Sequence, residues 1–150
     1  MLLTTKYAFF GTPRFAAIVL EKLVNAGMEP SLVVCNPDRP VGRKQIITAP
    51  PTKILAEKYG IPVWQPDDLT VENFKFQISN LKLDFAVVAA YAKILPNDIL
   101  KLPKLGMLGV HPSLLPKYRG TTPIQSAILG GEAETGTTLF LLDEKVDHGK

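Results

Sequence analysis

Three short apolar runs restrict the fold more than anything else in the chain. Residues 7–10 (YAFF), 32–35 (LVVC) and 85–92 (FAVVAAYA) contain no charged side chain and no alternation of apolar with polar residues. A strand wetted on one face alternates, so runs like these belong to strands covered on both faces, the condition of a parallel sheet. Gly11 closes the first run, and Thr12 with Pro13 then supplies an N-cap and a first-turn proline for a helix over residues 13–26. Within it Ala16, Val19, Leu20, Leu23 and Val24 recur at helical spacing, and Gly27 stands where a C-terminal cap needs a left-handed residue. Strand, helix and strand in that order make a βαβ unit.

The same rhythm continues to the end. Residues 36–51 hold Pro37, Pro40, Pro50 and Pro51 with Gly42, and read as a long exposed loop of the kind that often carries function. Beyond it the pattern predicts a helix over 52–59, a short edge strand over 62–65 and an amphipathic helix over 71–81. The strongest central strand spans 84–90, a helical turn 96–100, and a strand over 107–110 leads into His111. Thr122 and Pro123 cap a helix that stops at Gly130 and Gly131, and 137–142 is the last strand. One α/β domain with an open, mostly parallel, Rossmann-like sheet is expected. Ligands in such sheets bind beyond the carboxyl ends of the strands, which selects residues 11–14, 91–96 and 111–120, with the acidic turn at Asp147 as a fourth segment.

Charge separates these segments. The formal net charge is only +3, but Arg39, Arg43, Lys44 and Lys53 face Asp38 alone between residues 36 and 53. Lys101, Lys104, Lys117 and Arg119 meet no acid between 100 and 120, and the sign reverses after Gly131. The single cysteine, Cys35, reads as a core thiol. The longest apolar run is far shorter than the roughly 20 residues that span a bilayer, and no leader pattern opens the chain, so a cytoplasmic protein is expected.

Several chemistries are disfavoured by pattern. The turn FGTPRF lacks G-x-G-x-x-G spacing, G-x-S-x-G is absent, and His111, Asp147 and His148 do not have the spacing of a metal site. His111 opens the stiffened turn HPSLLPKYRG, and Asp147 sits in VDHG; a lone histidine is more often a hydrogen-bonded structural residue than a catalyst, and Asp147 alone reads equally as a turn former bonded to its own backbone. Brought together at one sheet edge, the two could orient and deprotonate a substrate, whose own nucleophile would then attack.

Taken together, FFGTPRFA, PDRPVGRK, AYAKILP, HPSLLPKYRG and DEKVDHG, in this order from residue 9 to 149, resemble the folate-dependent formyltransferase family. Within it, PDRPVGRK, PPTK and GIPVWQPDDL are most similar to the branch that formylates the methionine of initiator tRNA. The resemblance implies transfer of a formyl group from 10-formyltetrahydrofolate to that amine, without a metal and in a monomer. It places the catalytic histidine and aspartate at His111 and Asp147. The folate would lie on Ser113, Leu114, Leu115 and Pro116, with Tyr91, Ala92, Ile94 and Leu95 enclosing its pterin. Arg39, Arg43 and Lys44 would touch the acceptor end of the tRNA. Related chemistry on glycinamide ribonucleotide or an amino sugar, and a noncatalytic folate- or nucleotide-binding module, are the competing readings.

Two departures from the family pattern stand out. An asparagine is expected two residues before the histidine, where this chain has Gly109. An oxyanion donor is typically worth about a hundredfold to a thousandfold in turnover, so Gly109→Asn is expected to raise activity. The family also continues past the catalytic turn and carries a separate C-terminal tRNA-binding domain, so residues 1–150 are expected to be the N-terminal catalytic domain, incomplete at its C-terminal side. His148 stands where a small hydroxyl residue is usual.

Overall fold

The structure is a computed structural model that describes residues 4–145 and 147–148. Strands β1 (Tyr7–Phe10), β2 (Leu32–Val34), β5 (Val63–Trp64), β6 (Phe85–Val88), β7 (Met107–His111) and β8 (Thr138–Leu141) form one sheet in the order β5-β2-β1-β6-β7-β8. All neighbours are parallel except β7 and β8. The non-alternating runs have the predicted cause: every residue of β1 and β2 is buried. Period two splits β1 between the faces, so Tyr7 and Phe9 pack on helices α1 (Arg14–Asn25) and α2 (Pro51–Lys58), while Ala8 and Phe10 face Phe74 of α3 (Val71–Ile78) and Ile99 of α4 (Asn97–Leu100). A fifth helix, α5 (Pro123–Leu129), precedes β8.

Helix α1 ends as read. Gly27 has φ +76°, its N–H donates to Val24 O, and Met28 N–H donates to Leu23 O, the paired bonds of a Schellman cap. Its start differs, because Thr12 does not cap it. Pro13 is the N-cap residue without a side-chain bond, and the Thr12 hydroxyl instead accepts the Asn36 N–H at 3.1 Å, tying the end of β1 to that of β2. Thr122 likewise makes no cap bond to α5. Cys35 is fully buried, and burial pushes its thiol up to about 11.

The largest correction concerns residues 36–51, which are not a plain loop. Strands β3 (Arg39–Val41) and β4 (Ile46–Thr48) pair antiparallel as a separate hairpin. Its turn uses Gly42 at φ +72° and Gln45 at φ 49°, with Gln45 N–H bonded to Gly42 O. Pro40 lacks an N–H, yet a two-stranded ribbon consists of edge strands, which tolerate proline. The strand ending before His111 also gains a residue, so that the histidine closes β7.

Candidate active site

The chain order reverses between β1 and β6, and both strands end beside each other at Phe10 and Val88. This is the crevice where open α/β sheets bind ligands. Backbone and side-chain bonds knit it: Gly11 N–H to Val34 O, Thr12 N–H to Ala90 O, the Thr52 hydroxyl to Gly11 O at 2.8 Å, and the Asn36 amide to Tyr91 O at 3.3 Å. Two buried atoms in this knot, Asn36 Oδ1 and the Tyr91 hydroxyl, have no hydrogen-bond partner among the described residues. Past Tyr91, Ala92 takes a left-handed backbone (φ 66°), and Ile94 stands 86% exposed.

At the next strand end, β7 delivers His111, only 6% exposed. Its Nε2 lies 2.8 Å from Tyr118 O; a carbonyl only accepts, so Nε2 carries the proton in this arrangement. The other ring nitrogen, Nδ1, faces Asp147 Oδ1 at 3.5 Å. Asp147 is itself held, since its Oδ2 accepts Gly120 N–H at 2.8 Å and its carbonyl accepts Arg119 Nε–H at 3.2 Å. Gly120 has φ +103°, a conformation that suits glycine, so the KYRG stretch turns its backbone donor onto the carboxylate. Two segments remote in sequence thus bring an imidazole and a carboxylate together. Val146 and Gly149 of the last motif lie outside the described residues.

The turn after His111 is braced by hydrogen bonds of its own and to Thr138. Ser113 is fully buried, its hydroxyl donates to Lys117 O at 2.6 Å, and its carbonyl accepts the Thr138 hydroxyl at 2.7 Å. Thr138 also accepts Leu115 N–H at 3.1 Å, and the Leu115–Pro116 peptide is cis. Ser113 therefore serves its own turn, whereas Leu114 remains 52% exposed.

Charges sort into paired and available ones. Lys53 is held by Asp38 at 2.9 Å, and Gln65 donates to Asp38 Oδ1 at 2.7 Å and to Asn36 O at 2.9 Å. Bonds from Gln65 and then Lys53 hold the Asp38 carboxyl below its ordinary range. This clamp joins the base of the hairpin to α2 and β5. Lys117 pairs with Glu132 at 3.1 Å, and Tyr118 donates to the same carboxylate at 2.7 Å, so the second basic stretch is partly neutralised by the acidic segment. Arg39, Arg43 and Lys44 are exposed on the hairpin and form no ion pair among the described residues; Val41, Ile46 and Ile47 are exposed beside them. His148 pairs with Asp143 at 3.0 Å.

Sequence reasoning missed the supports of the pair. Tyr118 acts through its carbonyl and Gly120 through its N–H, so neither side chain advertises a role; only the glycine in KYRG hinted at a backbone constraint. Thr138 left no signal. No helix among the described residues is long and apolar enough to cross a membrane.

The α/β sheet thus carries a buried histidine at the end of β7 and, from the turn that follows the antiparallel edge strand β8, a carboxylate held against it. Residues 5–150 match the formyl transferase family model, and the chain belongs to that family. It is 49% identical over 97% of its length to a methionyl-tRNA formyltransferase of Staphylococcus aureus and 48% identical over 96% to one of Halalkalibacterium halodurans. It spans 46% and 45% of those relatives, about half their length. Among solved structures it resembles a phosphoribosylglycinamide formyltransferase of Bacillus halodurans, with TM-score 0.75 and 23% identity, covering 97% of this chain and 75% of that one. A sugar N-formyltransferase of a Shewanella species follows the same fold at TM-score 0.63 and 16% identity, covering 98% and 55%.

Proposed function

We propose that residues 1–150 are the N-terminal catalytic domain of an enzyme that moves a formyl group from 10-formyltetrahydrofolate to the amine of methionyl initiator tRNA, acting as a monomer in the cytoplasm. The observation that carries this reading is the His111–Asp147 contact of 3.5 Å at the carboxyl edge of the sheet. When bound, the donor supplies an electrophilic formyl carbon on a nitrogen leaving group. Ala92, Ile94 and Leu95, seated by the buried Tyr91, would line one side of it, and Leu114, Leu115 and Pro116, braced by the buried Ser113, the other. The residues suit a flat ring, since Ile94 and Leu114 offer exposed apolar surface on the two sides.

His111 presents a proton-bearing ring nitrogen to the formyl oxygen as negative charge gathers there, in competition with Tyr118 O for the Nε2 proton. Asp147 holds the ring in place, receives through water the proton shed by the attacking amine, and returns it to the donor nitrogen as the bond from that nitrogen to the formyl carbon breaks. Gly120 N–H keeps the carboxylate aimed while it does so. The hairpin supports an RNA acceptor, because Arg39, Arg43 and Lys44 are solvated and held on a ribbon that the Asp38 clamp fixes to the body. Relatives 49% and 48% identical to the chain over the matched 145 and 144 residues are named for methionyl-tRNA, which favours the same acceptor.

The test is acceptor competition with the full-length protein and 10-formyltetrahydrofolate. Formyl-methionyl-tRNA is expected as the product; reaction with glycinamide ribonucleotide or an amino sugar, with charged tRNA left unmodified, would refute the assignment. Arg43→Ala is expected to weaken tRNA binding several-fold and to lower the slope of log affinity against log salt by about 1, as loss of one phosphate contact should. An unchanged slope would return the hairpin to a solvated connection.

A further inference from the structure

Position 109 is explained by its partner across the sheet. Gly109 on β7 lies directly opposite Phe140 on the edge strand β8. A Cβ built on Gly109 would stand 2.7 Å from Phe140 Cζ, 2.8 Å from Cε1 and 3.2 Å from Cε2, so the ring tip already occupies the space of a side chain. Phe140 is 5% exposed and has little room to withdraw. Strand alternation puts positions 107, 109 and 111 on one face, all three buried, which makes any side chain at 109 the neighbour of His111 along the strand. An aromatic ring folded over a cross-strand glycine is also a known means of stabilising a glycine near a sheet edge.

We infer that Phe140 is a positioning residue: its ring fills the place of a side chain at 109 and thereby decides whether His111 has a polar neighbour on its own strand face. Gly109 and Phe140 are one unit, and neither can change usefully alone. This deepens the formyl-transfer reading and reverses the expectation drawn from sequence, because Gly109→Asn with Phe140 retained drives its Cβ against the ring, which must then be displaced from its buried place. Overpacking of this kind is destabilising even when the added group is chemically suitable.

A double-mutant cycle in the full-length protein tests the unit, with Tm as one readout and kcat with KM for formyl transfer as the other. Gly109→Asn, and the smaller Gly109→Ala, should each lower Tm by several degrees, without a rise in kcat for the asparagine. Adding Phe140→Ala to either should restore Tm well above the sum of the two separate losses. In the Gly109→Asn background it should also raise kcat about tenfold or more at unchanged KM, a split that repacking alone would not produce. Additive Tm losses, or a gain in kcat from Gly109→Asn while Phe140 remains, would overturn the inference. Tm coupling is read without substrate, so an unmutated protein that transfers no formyl group would defeat the functional reading and still leave the steric exclusion scored.

Discussion

His111→Ala is expected to reduce kcat for formyl transfer about a thousandfold, and Asp147→Asn about a hundredfold, each with a small change in KM. The two values differ because the groups act in sequence. Proton transfer and charge stabilisation by a positioned side chain are each worth roughly a hundredfold to ten-thousandfold, and in the proposed mechanism His111 is the group that meets the formyl oxygen. Asp147 acts through the ring and on the shed proton. An asparagine there can still accept Gly120 N–H through its amide oxygen, so the turn is kept while the negative charge is lost. Stability separates chemistry from folding. Removing the imidazole leaves Tyr118 O without its donor, which costs about 1–3 kcal/mol, so kcat should be measured well below the lowered Tm. Full formyl transfer by either variant would remove the pair from the mechanism.

Much of this arrangement could be read before any coordinates. Apolar runs without alternation announced parallel strands, and the helices between them followed from spacing and from Gly27. What escaped reading was pairing between segments remote in sequence. The β3–β4 hairpin was hidden by Pro40, which argues against a strand unless the ribbon stands apart from the main sheet, as it does. Thr12 looked like a helix cap because its hydroxyl precedes Pro13, but tertiary contact with Asn36 N–H won over the local bond. The meeting of His111 with Asp147 depends on a carboxylate held by the backbone of residues 119 and 120, and backbone donors leave no mark on side-chain pattern. Gly109 looked like a missing donor when read alone. Its meaning changes once Phe140, opposite it on β8, is known to fill the space. The family resemblance supplied candidate site residues that spacing could not, and the end of β7 gives the physical reason for the placement of His111.

The link from core to crevice runs through Phe10, and Phe10→Ala is expected to be the most damaging single truncation for stability. Its ring is fully buried and meets Phe74 at 5.6 Å and Tyr91 at 5.3 Å, both edge to face. It sits in β1 with Val34 and Val88 in register on either side, so the void would open at the middle of the sheet, where strands cannot close it. Phenylalanine-to-alanine changes in cores cost about 3–5 kcal/mol, and a domain of this size loses roughly 2–4 °C of Tm per kcal/mol, so a fall of about 10 °C is expected. The same cavity removes the packing that seats Tyr91, the first residue of the segment assigned to the pterin. Weaker donor binding, read as a higher KM with a smaller change in kcat, should therefore accompany the loss of stability. Ile94→Ala supplies the contrast, since that side chain is 86% exposed: its KM should rise with Tm unchanged. A Phe10→Ala protein that keeps its Tm within about 2 °C would mean that α3 and the Tyr91 segment collapse into the gap, and that the crevice does not depend on the core beneath it.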